Sequence, residues 1–193
     1  MAVCGGFPLA VWGGVPSAVN ASASDGYRLA QWPQPDRALN WHLVDDRGRP
    51  RSLTDYRGRV LVVYFGFARC PDVCPAELFK LSQALKRLAG VRSECRVLFI
   101  TLDPGHDSPA VLRHYLAGFD PAFVGLTGTT AAINRAAADF NVEFAHVPDG
   151  TGYTVEHANS IFILDKRGRV RLVGNAQTGA EDLTHDLSAL GQE

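Results

Sequence analysis

Methionine occurs once in this 193-residue chain, at Met1. A thioether-based site for a soft metal is thereby excluded, and any such ion must be held by cysteine and histidine. Cysteine is scarce too. Cys4, Cys70, Cys74 and Cys95 are too few for a fold stapled by disulfides. No unbroken apolar run is long enough to span a bilayer, because Pro8, Gly13, Gly14 and Pro16 interrupt residues 1–20. The first 24 residues carry no charge, so the positive n-region of a secretory signal is missing. The small residues Ala21-Ser22-Ala23 nevertheless resemble a cleavage site. A signal segment stands against a leader without structure or a misplaced start codon. Nothing apolar precedes Cys4, which leaves a lipid-anchored cysteine unsupported. No block of like charge exists, and the net charge is -1, which excludes the clustered base of a nucleic-acid surface.

What is present describes a packed domain. Hydrophobic residues make up 46 % and charged residues 20 %. The length fits one domain with a short appendage: a leader, or signal segment with linker, over 1–35 and a folded unit over 36–193. The Pro-containing stretch 27–37 reads as linker. Residues 38–44 read as a strand closed by the turn Asp45-Asp46-Arg47-Gly48. VLVVYFGF over 60–67 is a continuous apolar run rich in β-branched and aromatic residues, as in a strand buried on both faces. Leu78, Leu81, Leu85 and Leu88 then recur at helical spacing. Further strands are expected over 95–101 and 123–126, with helices over 108–117 and 130–140. Residues 142–147 and 153–156 flank a turn. Residues 160–164 and 170–173 pair across Asp165-Lys166-Arg167-Gly168, and Thr178-Gly179-Ala180-Glu181 reads as a capping box before a last helix. No internal repeat stands out. Strands alternating with helices, then a hairpin and a helix, give an α/β fold with a central sheet flanked by helices.

The chemistry is expected where the first buried strand meets the first helix. Pro75 lacks a backbone donor and belongs in the helix's first turn, placing Cys74 at or beside the N-cap. Cys70 then lies beyond the strand's carboxyl end, where ligands gather in such sheets. In a helical segment the two Cα atoms would be about 6 Å apart on one face, which suits either a disulfide or two thiolates on one ion. The helix start and the nearby Arg69 favour thiolate. A pair of inert core cysteines is disfavoured by Asp72 between them and by Pro71 and Pro75. A CxxC redox motif has two intervening residues, and this pair has three. A thiol peroxidase would carry Thr or Ser where Phe67 stands.

Of six histidines, His42, His114 and His185 fall inside expected elements. His106 lies in the loop after the second buried strand, and His146 near a strand end. His157 is read in the loop entering a buried strand, where a thioredoxin has a cis-proline facing its cysteines, and an imidazole there would complete a metal site. Cys95 is read as a core strand residue.

The stretches YFGFARCPDVCPAEL (64–78), TLDPGHDSPAVLRHYL (101–116), FVGLTGT (123–129) and VEHANSIFILDKRGRVR (155–171) resemble the SCO/SenC family of copper proteins for cytochrome oxidase assembly. The resemblance covers roughly residues 36–190. It implies a thioredoxin-like fold and copper, as Cu(I) or Cu(II), on Cys70, Cys74 and His157. Glu156 stands where the family often has Asp. Asp103 and Asp107 match family positions and are expected to order their loop. The implied partners are cytochrome c oxidase subunit II or a related copper acceptor, together with a protein that reduces thiols. The implied location is extracytoplasmic, in a bacterial periplasm. A competing enzymatic reading makes Cys70 and Cys74 a redox-active pair of a thiol–disulfide reductase, with His157 dispensable.

Overall fold

A computed structural model describes residues 26–150 and 152–193. The leader, with Cys4 and the signal-like segment, lies outside the described residues. In chain order the strands are β1 (Ala30–Gln31), β2 (His42–Asp45), β3 (Pro50–Ser52), β4 (Val60–Gly66), β5 (Cys95–Thr101), β6 (Phe123–Thr127), β7 (Phe144–Asp149), β8 (Gly152–His157), β9 (Ile161–Leu164) and β10 (Val170–Gly174). The helices are α1 (Val73–Arg87), α2 (Pro109–Leu116), α3 (Thr130–Asp139) and α4 (Ala180–Gln192).

Eight strands form one mixed sheet in the order β1-β10-β9-β4-β5-β6-β2-β3. β4 pairs parallel with β5, and β5 with β6. β9 runs antiparallel to β4 on its other side. Every residue of β4 is buried, as its unbroken apolar run requires. Burying each large side chain there contributes about 1.5–3 kcal/mol relative to exposure. The leucine stripe of α1 (Leu78, Leu81 and Leu85) is buried as well, and so is Leu88 at its C-cap. This is a thioredoxin-like α/β fold, with helices flanking a central sheet.

Several details depart from the expectation. Residues 27–31, within the stretch read as linker, join the folded unit: Tyr27 and Leu29 are buried, and Ala30 pairs with Val173. Buried Asp186 on α4 holds this segment by accepting the Arg28 and Leu29 backbone N–H groups at 2.9 and 2.8 Å. Gly179, not Thr178, is the N-cap of α4, because the Thr178 hydroxyl accepts the Asn175 N–H at 2.9 Å instead. A short repeat also emerges. The turns beginning at Asp45 and Asp165 share the pattern Asp-x-Arg-Gly-Arg-x-Arg. In each, one carboxylate oxygen accepts the backbone N–H groups two and four residues on, at 2.9–3.0 Å. Gly48 and Gly168 take the left-handed conformation that closes these turns, with φ of 78° and 80°. Burial pushes both carboxyls up, and the backbone and guanidinium donors more than reverse it.

β7 and β8 stand apart. They form a two-stranded sheet of their own, hydrogen-bonded to each other and not to the main sheet.

Candidate metal centre

The chain leaves β4 at Gly66 and reaches Cys70 after four residues, with the Cys70 N–H donating to the Phe67 carbonyl at 3.2 Å. α1 starts at Val73 with Asp72 as N-cap, so Cys74 is its second residue and sits deeper than the expected cap position. The Asp72 side chain makes no capping bond. The sulfur of Cys70 takes that place, accepting the Cys74 N–H at 3.3 Å and satisfying a donor the helix start leaves open. The two cysteines are therefore unlike. Cys70 is half-buried and Cys74 fully buried, both as free thiols. Burial pushes the Cys74 thiol up to about 12, so the expected bias toward thiolate does not hold for this residue in the metal-free protein. Gly66 makes room for it, since a Cβ there would lie 2.9 Å from the Cys74 sulfur and 2.9 Å from the Phe99 ring.

His157 is the last residue of β8, paired with Phe144, and so belongs to the separate hairpin and not to a loop. Its ring meets the Phe67 ring edge-on, with centroids 6.4 Å apart. Burial holds the imidazole below its usual value of 6.5, so at neutral pH it is uncharged. Nδ1 lies 2.9 Å from the Ala158 carbonyl, which can only accept. That bond fixes the proton on Nδ1 and leaves the Nε2 lone pair for a metal. Cys70 and His157 line one hollow of about 270 Å³, together with Phe67, Val73 and Asn159.

Thus the Cys70 sulfur accepts the Cys74 backbone N–H on one side and shares a cavity with His157 on the other. The three do not form a finished cage. Among the described residues, no group of three or more His, Cys, Asp or Glu side chains is arranged to hold a metal ion. The donor chemistry fits a soft monovalent ion: two sulfurs, one neutral nitrogen and no competing carboxylate cluster. His42 and His114 are exposed, and His185 bonds to Asp186. His146 packs on Tyr153, and His106 bonds to Asp103. Cys95 is buried at the start of β5, as expected.

Asp103 and Asp107 do order their loop, and Asp103 does more. Asp107 accepts from the Thr101 hydroxyl at 2.6 Å and the Ala68 N–H at 3.0 Å. Asp103, 1 % exposed, accepts from the Arg69 guanidinium at 2.9 Å and the Tyr153 hydroxyl at 2.7 Å. Sequence reasoning missed Tyr153. The available signal was its place two and four residues before Val155 and His157, which puts all three on one face of a strand.

The sheet, with two thiols at the strand-to-helix junction, defines a dithiol protein of the thioredoxin-like class. A family model described as SCO1/SenC matches residues 31–192. The chain belongs to that family. The mitochondrial protein SCO1 of Saccharomyces cerevisiae is 37% identical over 153 residues, covering 77% of this chain and 50% of the relative. The mitochondrial SCO2 homolog of Homo sapiens is 36% identical over 133 residues, covering 67% and 50%. The chain spans about half the length of these curated relatives. Among solved structures, Bradyrhizobium japonicum ScoI with copper bound superposes with a TM-score of 0.73 at 31% identity, covering 79% of this chain and 99% of that one. Yeast Sco1 with copper bound gives 0.71 at 33% identity, covering 78% and 85%.

Proposed function

We propose that this chain carries copper on Cys70, Cys74 and His157 and delivers it to the binuclear copper site of cytochrome c oxidase subunit II, or to a related acceptor. The observation that carries this reading is the hollow shared by Cys70 and His157, with the Cys74 N–H bonded to the Cys70 sulfur. Solved relatives that hold copper support it. Copper is the cargo. Two thiolates and a neutral imidazole leave Cu(I) undercoordinated, so an incoming thiolate from the acceptor can bind before a donor sulfur leaves. Loading releases the two thiol protons, so affinity rises with pH. Residues 36–193, with residues 27–31 packed onto them, would be the copper-binding unit, preceded by a leader. We place the protein outside the cytoplasm, where the Cys70–Cys74 pair would meet oxidising conditions and need a thiol reductant. No helix among the described residues is long and apolar enough to cross a membrane.

A second reading rests on the unequal exposure of the two thiols. A half-buried Cys70 would attack a disulfide in the acceptor's copper site, and buried Cys74 would resolve the mixed disulfide. Both acceptor sulfurs leave as thiols, while Cys70 and Cys74 give up two electrons and two protons to become a disulfide. His157→Ala separates the readings. Copper delivery predicts that this variant loses tight copper binding and oxidase maturation. Wild-type maturation in the variant would favour the reductase.

A further inference from the structure

His157 reaches the hollow from a hairpin that shares no ladder hydrogen bond with the main sheet. Side chains therefore help to set its position relative to Cys70: Val155 joins the core, the His157 ring meets Phe67, and Tyr153 bonds to Asp103. Asp103 lies two residues beyond β5, its own N–H held by the hydroxyl of Thr101, the last residue of that strand, at 2.9 Å. Its carboxylate accepts from Arg69, the residue before Cys70, and from Tyr153, four residues before His157 on β8. The Arg69 guanidinium also lies over the Tyr153 ring, 5.2 Å from its centroid. His106 closes the group, with Nδ1 2.8 Å from the Tyr153 hydroxyl and 3.1 Å from Asp103. On the hairpin side, the His146 ring packs edge-on against Tyr153 at 4.9 Å.

We infer that Tyr153, Asp103 and Arg69 form a clamp that fixes the hairpin carrying His157 against the loop carrying Cys70, and so sets how tightly copper is held. The inference rests on the reading of Cys70, Cys74 and His157 as copper ligands. Asp103 is anchored on the main sheet, so it serves as the fixed point for both arms. Tyr153 and Arg69 are positioning residues and need not touch the ion. A hydrogen bond to a charged acceptor, lost with the rest of the side chain kept, corresponds to about tenfold in an equilibrium or a rate.

The test uses the full chain loaded anaerobically with Cu(I), with release followed to a copper(I) chelator. Tyr153→Phe keeps the ring and removes the donor, and Asp103→Asn keeps the shape and removes the charge. Each is expected to release copper about tenfold faster than wild type. Each should also speed amide exchange over 152–157 while β4 and β5 keep wild-type protection. In the Cu(II)-loaded form, the nitrogen hyperfine signal should broaden. Wild-type release with unchanged spectra in both variants would overturn the clamp, as would faster exchange spread evenly over β4, β5 and the hairpin, which marks a general loss of stability. His157→Ala tells apart the two ways of failing. If it holds copper like wild type, the ligand assignment fails and the clamp falls with it. If it loses copper while Tyr153→Phe and Asp103→Asn release it at the wild-type rate, only the clamp fails.

Discussion

The two halves of the proposed copper site are built differently. Cys74 is embedded in the main structure, with no exposed surface, on a helix packed over a fully buried strand. His157 ends a hairpin whose strands pair only with each other and which side chains, Tyr153 on Asp103 among them, fasten to the rest. A deeply seated thiol makes one wall fixed. An imidazole held through side-chain contacts makes the other wall adjustable. A carrier has need of both, because cargo that nothing can loosen cannot be handed on. Regions with few buried contacts open at lower cost than the core, so the hairpin is where loading and release should be felt.

Removing a sulfur breaks this comparison hardest. Cys70→Ser should weaken copper binding by more than about a hundredfold, a larger loss than that expected for supporting residues around a metal. Competition against a chelator of known affinity measures it. The next largest effect should fall on stability and arise only in the embedded half. Gly66→Ala drives a methyl to 2.9 Å from both the Cys74 sulfur and the Phe99 ring, and overpacking of this kind costs about 1–3 kcal/mol. Urea unfolding reads the change. His157→Ala should do the reverse, abolishing tight copper binding while shifting unfolding by less than Gly66→Ala does, because the ring is only half-buried.

The smallest effect is a pH dependence of the metal-free protein. Burial keeps the folded His157 value below 6.5, so the unfolded chain binds the proton first as pH falls. Stability is therefore undiminished above 6.5 and declines as pH drops from there toward the folded value. Replacing His157 with Ala should flatten that part of the profile. An unaltered slope would mean the imidazole is better solvated than its burial indicates.

Local pattern carried much of this architecture. The apolar run of β4, the leucine stripe of α1 and the glycine-centred turn at Asp165 each announce their element within a few residues. The strand β1 is only two residues long, and pairing with Val173 and Leu172, far along the chain, makes it a strand. No window of sequence contains that partner. The same holds at the site. The cysteine spacing and the resemblance singled out Cys70, Cys74 and His157, but not the unequal burial of the thiols, which depends on the depth at which α1 begins. The bond from Tyr153 to Asp103 joins residues 50 positions apart. The Ala158 carbonyl as partner of His157 Nδ1 was equally out of reach, since a backbone oxygen leaves no mark in side-chain identity.

X-ray absorption at the copper edge, on the reduced protein titrated anaerobically with one equivalent of Cu(I), tests the central claim most directly. One copper per chain is expected, bound by two sulfurs and one imidazole nitrogen, with the nitrogen lost and both sulfurs kept in His157→Ala. A wild-type spectrum showing sulfur alone, or identical spectra for wild type and His157→Ala, would contradict it.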